Sequence, residues 1–367
     1  MRIESMIYIY GAVCLSMILF NVVYNLLLKS SRLRLERRCG AVRVRLLPQL
    51  IRLRQGLGVE EKHLVYLEHA LRREKNLMAF DQVLKDLLQR GDEELETAYL
   101  EQIQPAILYL AVIYQRRDAV SAAYFSYVLS RYMAPRHLSI HSVQGVLLDY
   151  MRKENLYCRV NALQALCRFG SAENILTALQ ILDQGSVFVH EKILTEGLLT
   201  FTGDHDELIR MLWGQLDGFS QHTQLAISNY IRFRSGAYTA EMFAVLQDES
   251  RGKELRLSAI RYFGRYYYRP AQDTLLDLAR QKDPELWEYT TVSVSALARY
   301  PGEATVAALK EALHSSNWYV RYDAAISLQA LHVDYMDLMD VITGNDRYAR
   351  EMMVYRMESD RMQKAGV

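Results

Sequence analysis

The sequence predicts an all-α protein in which one N-terminal transmembrane helix is followed by an α-solenoid of helical hairpins. Three observations support this fold class: an uncharged apolar run near the start, a repeat of 32 to 33 residues, and few turn-forming residues. The 367 residues include 18 glycines and 6 prolines, about half the average share of these two residues. Because β-sandwiches and propellers need frequent glycine or proline turns, the composition argues against both.

The apolar run comprises residues 7–28, IYIYGAVCLSMILFNVVYNLLL, and contains no charged residue. As a helix it would extend for about 33 Å, enough to cross a hydrocarbon core of about 30 Å. A cleaved signal peptide is the alternative, but Arg2 is offset by Glu4, the run is long, and no A-x-A site follows it. We therefore expect a single-pass anchor in an inner (plasma) membrane, with residues 1–6 outside the cytoplasm.

A basic juxtamembrane segment, residues 29–55, follows the apolar run. Residues 1–55 contain ten basic and two acidic residues, a net charge of +8, so the rest of the chain has −7. The positive-inside rule places this segment and the domain after it in the cytoplasm. Residues 29–54 are also expected to contact anionic lipid head groups, either generally or at a specific site. The arginines with these lipid and topology roles are Arg32, Arg34, Arg37, Arg38, Arg43 and Arg45.

A cluster of three polar residues lies near the end of the apolar run. Asn21 and Asn25 are one helical turn apart, with Tyr24 beside them. Because an asparagine in lipid is costly unless it finds a partner, this face is expected to contact another transmembrane helix. The alternative is that both asparagines lie close enough to the membrane interface to be hydrated.

The strongest pattern in the chain is a repeat of 32 to 33 residues. Six anchor positions recur at this spacing: Ala162, Leu194, Ala226, Ala259, Thr291 and Ala324. Residues one, four and seven positions past each anchor are mostly apolar, which predicts one buried helical face per repeat. This pattern places Val292, Ser295, Phe233 and Tyr266 on the buried face. Second amphipathic stretches, such as residues 171–182 and 303–313, complete hairpins that bury their faces by stacking.

Three segments carry a family resemblance: YCRVNALQALCRFG at 157–170, ELRLSAIRYFG at 254–264 and WYVRYDAAISLQAL at 318–331. In each, an arginine precedes the anchor by three residues. The pattern resembles the HEAT-repeat family. Its short repeat length also resembles that of the HEAT-like repeats named after phycobiliprotein lyases. The resemblance covers residues 136–343 and implies six HEAT-like repeats, a fold that serves many functions.

The position three residues before the anchor alternates in charge. It is occupied by Arg159, Glu191, Thr223, Arg256, Glu288 and Arg321. Equivalent residues of stacked repeats lie side by side, so these side chains are expected to form an exposed charge ladder, worth about 0–1 kcal/mol per pair.

The segments that flank the repeats are also predicted to be helical. Residues 56–135 contain one or two amphipathic helices followed by two more, and form either an N-terminal cap or degenerate repeats. Residues 344–367 are predicted to be a C-terminal capping helix and tail.

No sequence motif indicates catalysis or cofactor binding, so we expect no catalytic residue, no metal and no cofactor. Asp204 and Asp206 match a D-x-D metal motif, but they fall in a turn between repeats, where aspartate commonly caps a helix. Cys158 and Cys167 are nine residues apart on one predicted helix and are interpreted as core thiols.

One surface segment, residues 256–270, mixes arginine and tyrosine. Arginines recur there at four-residue steps, and two more arginines occupy a similar place one repeat earlier. The candidate partner-binding residues are Arg232, Arg234, Arg261, Arg265, Arg269, Tyr267 and Tyr268. Arginine and tyrosine dominate binding hot spots, and they also stack on nucleic-acid bases. An ordinary interface or a solvated turn is the alternative.

We expect a non-enzymatic scaffold whose cytoplasmic solenoid binds a protein partner. The resemblance implies a bacterial protein with a membrane complex as its client, such as one that synthesises an envelope polysaccharide. The alternative is a HEAT-like enzyme or nucleic-acid-binding solenoid, of the lyase or DNA-glycosylase type. Because the chain beyond residue 55 has a net charge of −7, no nucleic acid is expected as a partner.

Overall fold

The computed structural model describes residues 3–88, 93–132, 141–185, 187–334 and 336–365. All regular elements in these ranges are α-helices or short 3-10 turns, which confirms the predicted all-α fold class. The chain divides into two compact units, Met1–Val187 and Phe188–Val367. The predicted domain boundary at residues 135 and 136 lies outside the described residues, as do residues 1–2 and 366–367 of the predicted terminal segments.

The first helix, α1, extends over Ile3–Arg54 and contains 52 residues. The predicted transmembrane helix and the basic segment are therefore one continuous helix. It is the one helix among the described residues that is long and apolar enough to cross a membrane. The side chains of residues 10–28 are exposed, whereas Val42, Leu46 and Gln49 near the other end are buried. The basic half of α1 is thus part of the first unit.

Eight further helices form the first unit: α2 (Glu61–Ala70), α3 (Glu74–Leu88), α4 (Glu93–Gln102), α5 (Gln104–Gln115), α6 (Ala119–Tyr132), α7 (His141–Tyr150), α8 (Leu156–Phe169) and α9 (Ala172–Asp183). Alternate helices pack together from α5 onward, α5 on α7, α7 on α9 and α6 on α8, and α2 packs on α5. Residues 93–132 form three helices where two were predicted, because Pro105 starts α5 at its first turn.

The second unit contains eleven helices: α10 (Glu191–Leu199), α11 (His205–Gly214), α12 (Gln221–Arg234), α13 (Thr239–Gln247), α14 (Lys253–Phe263), α15 (Ala271–Ala279), α16 (Trp287–Ala296), α17 (Glu303–Ala312), α18 (Trp318–Ala330), α19 (Met339–Ile342) and α20 (Arg347–Ala365). The even-numbered helices from α10 to α20 pack successively on one another. Helices α11, α13, α15 and α17 each pack on the helix that follows. This order is that of stacked helical hairpins.

Each of the six predicted repeats begins with a helix, the even-numbered helices from α8 to α18, but the register predicted for the fifth is wrong. Anchors such as Ala162, Ala259 and Ala324 are fully buried. In α16, by contrast, Thr291 is only half-buried and Ser295 is exposed. The core positions there are Thr290, Ser293, Val294 and Leu297. Both sets have helical spacing, so spacing alone does not decide which of them faces the core.

The charge ladder expected between repeats is also absent from the described residues. The arginines donate instead to carbonyls at or just past the end of the preceding helix: Arg159 to Lys153 at 2.6 Å, Arg256 to Leu246 at 3.1 Å, and Arg321 to Ser315 at 2.6 Å. Glu288 pairs with Lys253. The Leu246 carbonyl is one of the last four of α13, which lack intrahelical donors, so the guanidinium of Arg256 satisfies a group that would otherwise be orphaned. The Lys153 and Ser315 carbonyls lie in the turns that follow α7 and α17.

Candidate functional site

An arginine-lined groove lies on the second unit, across α12, α14, α16 and α18. Its volume is about 620 Å³. Its lining is Arg232, Phe233, Arg261, Gly264, Arg265, Val292, Ser295, Ala296 and Asp323. Three of the seven residues predicted to bind a partner, all of them arginines, therefore meet at one site.

The repeat itself brings these arginines together. Arg232 and Arg265 each lie six residues past an anchor, on consecutive repeats, so stacking of the hairpins places them side by side. Arg261 lies in the last turn of α14, and Arg265 lies in the turn that follows Phe263, where its backbone N–H donates to the carbonyl of Tyr262 at 3.0 Å. Both side chains line the groove.

The three guanidinium groups repel one another. Burial, together with the charges of Arg261 and Arg265, holds the pKa of Arg232 below its usual range. The Nε–H of Arg232 is buried and has no hydrogen-bond partner among the described residues. A buried donor without an acceptor is costly, as is a cluster of like charges. A bound anion would relieve the repulsion between the three guanidinium groups.

Phe233 lies between two of these cations, where the sequence predicted a core residue. The guanidinium carbon of Arg232 is 4.7 Å from its ring centre and that of Arg265 is 5.7 Å away. The ring is 42% exposed. Phe233 falls in the last turn of α12, where guanidinium groups rather than apolar side chains cover it. Phe233 therefore adds an aromatic surface to the groove.

Small residues and one acid form the rest of the lining. Val292 and Ser295 were predicted to be buried, and the shifted register of α16 turns them toward the groove. A side chain at Gly264 would lie 3.3 Å from the Cα of Ala296, so glycine permits close approach of α14 to α16. Asp323, on α18, is the acidic residue of the lining, and burial raises the pKa of its carboxyl group.

The other four predicted partner-binding residues lie outside the groove. Arg234 donates to the carbonyl of Leu199. Tyr268 is half-buried and packs on the rings of Phe243 and Phe263 at 5.9 and 6.0 Å. Tyr267 is half-exposed and lies against Tyr300, and Arg269 is exposed in the turn before α15. The four-residue spacing fails beyond Phe263 because the helix has ended there.

The arginines predicted for lipid contact fall into two groups. Arg32, Arg34 and Arg37 are exposed on α1. The other three contact the first unit: Arg38 donates to Asn76 at 3.1 Å, Arg43 pairs with Asp86 at 2.6 Å, and Arg45 lies over the ring of Tyr66 at 5.5 Å. These contacts attach the basic half of α1 to α2 and α3.

Asn21, Tyr24 and Asn25 are exposed on α1. The Asn21 side chain donates to the carbonyl of Met17 at 3.0 Å, within its own helix. Tyr24 stacks on Phe20 at 6.0 Å, and Asn25 is exposed.

The residues considered for metal binding have structural roles. The Asp204 carboxylate accepts hydrogen bonds from the backbone N–H groups of Asp206 and Glu207, at 2.9 and 3.2 Å, and so caps α11. Cys158 and Cys167 are buried, as expected for core thiols, and burial raises the pKa of Cys158 to about 11.

Comparison with known proteins agrees with the repeat architecture. The family model for HEAT repeats matches residues 239–329, which begin at α13 and include most of the groove. This match supports a HEAT-repeat protein. No curated protein matches the chain.

Proposed function

We propose that this chain is a membrane-anchored, non-enzymatic HEAT-repeat scaffold whose arginine groove binds an acidic segment of a protein partner. The observation that carries the proposal is the convergence of Arg232, Arg261 and Arg265 on one open groove, with a buried donor of Arg232 left unbonded. Carboxylate groups match guanidinium groups in charge and geometry. A stretch of acidic residues would satisfy all three arginines at once.

The groove is open and crosses several helices, which suits an extended segment of a polypeptide. The groove crosses four helices and has a volume of about 620 Å³. HEAT repeats commonly mediate protein interactions, and arginine and aromatic residues are enriched in binding hot spots. Phe233 offers an aromatic face beside the cations, so the acidic segment is expected to contain an apolar or aromatic residue as well.

The anchor is the second part of the proposal. The exposed apolar portion of α1 is long enough to span a bilayer once. The basic residues that follow it favour an inner membrane location, with the N-terminus outside and both units in the cytoplasm. A scaffold held in this way would have a subunit of a membrane complex as its partner. The resemblance noted above suggests a bacterial complex for envelope polysaccharide synthesis.

The test is site-specific photo-crosslinking in intact membranes. A photoreactive amino acid replaces Ser295 in the groove or, as a control, the exposed Glu249 outside it. We expect Ser295 alone to yield a crosslinked protein, and the crosslinked peptide to contain an acidic segment. Crosslinks to nucleic acid, or equal yields from both positions, would contradict the proposal.

Charge reversal provides a matched second test. Arg261→Glu with Arg265→Glu is compared with Arg269→Glu with Arg299→Glu, which changes the net charge equally at exposed positions outside the groove. We expect the first pair to abolish crosslinking from Ser295 and the second pair to preserve it. If both pairs reduce crosslinking equally, general charge attraction rather than the groove recruits the partner.

A further inference from the structure

A second cationic cleft lies where the apolar part of α1 ends. Its volume is about 210 Å³, and its lining comes from α1 and α3: Ser31, Arg34, Leu35, Arg38, Lys75 and Met78. We propose that this cleft binds the phosphate of an anionic phospholipid head group. The inference rests on the membrane anchor of the proposed function and assigns one specific lipid site within it.

The depth of the cleft suits a lipid phosphate. The apolar run ends at Leu28, and at 1.5 Å per residue Ser31 and Arg34 follow about 5 and 9 Å further along the helix. The polar head-group region extends for about 5–8 Å beyond the hydrocarbon core. Side chains on a helix point toward its N-terminus, so the arginines of α1 extend back toward the membrane.

The charge of the cleft is unbalanced. Three of its six lining residues are cations, none is acidic, and none of the three cations forms an ion pair within the described part of the chain. The nearby Glu74 accepts a hydrogen bond from Ser121 Oγ at 3.2 Å. Lys75 also lies in the first turn of α3, where the helix dipole favours an anion.

The packing of α3 on α1 holds this cleft in shape. Arg38 donates to Asn76, the residue after Lys75, at 3.1 Å, and Arg43 pairs with Asp86 at 2.6 Å further along the same two helices. Leu35 and Met78 add apolar surface to the lining, which suits the glycerol and upper acyl carbons of a lipid. A basic pocket between packed helices at the membrane surface is a typical site for an anionic head group.

The experiment measures lipid retention by the full chain. The protein is reconstituted in vesicles of phosphatidylglycerol and phosphatidylcholine and solubilised gently, and its bound lipids are counted by native mass spectrometry. The cleft variant is Arg34→Gln, Arg38→Gln and Lys75→Gln. The control is Lys29→Gln, Arg32→Gln and Arg37→Gln, which removes the same charge from the opposite side of α1. Lys75→Gln alone tests the site without removing the hydrogen bond of Arg38.

We expect the cleft variant to lose phosphatidylglycerol by about 100-fold and Lys75→Gln by about fivefold, with little change in the control. Equal losses in the cleft and control variants would overturn the proposal in favour of general attraction. Retention unchanged in every variant would overturn it as well.

Inorganic phosphate is titrated against protein in phosphatidylcholine alone. If it binds to the wild type as tightly as the lipid does, the ligand is free phosphate instead.

A wrong lipid site and a wrong membrane anchor would give different results when the vesicles are treated with alkaline carbonate. Alkaline carbonate extracts peripheral proteins from vesicles but leaves spanning helices in place. If carbonate releases the wild-type chain, the anchor itself is wrong. If the chain stays in the membrane but the cleft variant retains as much phosphatidylglycerol as the wild type, only the lipid site is wrong.

Discussion

The guanidinium carbon of Arg265 lies 5.7 Å from the ring centre of Phe233, which belongs to the preceding repeat. Arg232 lies over the same ring at 4.7 Å. The electron-rich face of an aromatic ring attracts cations, so the ring partly offsets the repulsion between the two guanidinium groups. Phe233 thereby helps to hold two like charges at one site, and the groove depends on it.

Phe233 and Phe201 occupy the same position in consecutive repeats and should respond differently to truncation. Phe201 is 3% exposed, whereas Phe233 is 42% exposed. We expect Phe201→Ala to lower the free energy of unfolding by about 3–4 kcal/mol and Phe233→Ala by about 1 kcal/mol or less. Urea unfolding measures both values.

The crosslinking yield from Ser295 should depend strongly on Phe233, although the stability of the fold depends on Phe233 only weakly. We expect Phe233→Ala to reduce the yield strongly, because the ring is part of the proposed partner surface. A Phe233→Ala protein that crosslinks as well as the wild type would remove the ring from that surface.

The carboxylate of Asp323 should lower the stability of the folded protein and weaken the binding of an anion in the groove. Burial raises its pKa above the ordinary 3.8, so the folded protein holds this proton more tightly than the unfolded chain does. The stability associated with the protonated form is therefore present at low pH and is lost as the pH rises through the raised value. We expect Asp323→Asn to raise Tm at pH 7, with a difference that shrinks toward pH 4.

Asp277 provides the control for this prediction, since it is exposed on α15 outside the groove. Asp277→Asn should leave Tm unchanged at both pH values. Asp323→Asn should also strengthen the binding of an acidic peptide, because it removes a negative charge from the groove lining. A weaker affinity would show that Asp323 takes part in recognition.

The fold was largely predictable because one short-range pattern determines it. Mostly small anchors and mostly apolar positions around them recur through the six repeats, and burial agrees with five of the six registers. The fifth failed because α16 carries two overlapping apolar sets, of which Val292 and Val294 are members, and spacing alone cannot rank them. Val294 is buried, whereas Val292 lines the groove.

The two sites were predictable only in part because they depend on where helices end and which helices meet. The sequence singled out Arg232, Arg261 and Arg265, but it grouped them with Tyr268, which lies beyond the end of α14. It also marked the basic segment without Lys75, which α3 brings to Arg34 from 41 residues away. Long-range packing of this kind leaves no local signal.

Val42 and Val44 offer a matched test of the attachment of α1 to the first unit. Val42 is 4% exposed and Val44 is 70% exposed on the same helix. We expect Val42→Ala to lower the free energy of unfolding of the full chain by about 1–3 kcal/mol. Val44→Ala should have an effect below about 0.5 kcal/mol.

The measurement for this pair is urea unfolding in detergent, followed by limited proteolysis between α1 and α2. Faster cleavage near Gly56 is expected in Val42→Ala alone. Equal behaviour of the two variants would mean that the basic half of α1 does not pack on the first unit in solution.

His63 should make the first unit sensitive to mild acid. Its ring is 5% exposed and lies 2.8 Å from the Tyr99 hydroxyl, and burial lowers its pKa from 6.5 to about 4, with Glu60 raising it and Arg45 lowering it further. The unfolded chain therefore binds this proton more readily than the folded one. The stability from neutral His63 is complete above pH 6.5 and is lost as the pH falls toward 4, by about 2–3 kcal/mol.

His63→Gln removes this titration while keeping a polar group near Tyr99, so the unfolding midpoint of the variant should depend less on pH between 6.5 and 4. His69→Gln, on the exposed side of the same helix, is the control and should follow the wild type throughout. The comparison uses the difference between each variant and the wild type, because carboxylates elsewhere also titrate in this range. Parallel pH profiles for the wild type and His63→Gln would show that His63 becomes charged without cost, and hence that its ring is hydrated in the folded protein.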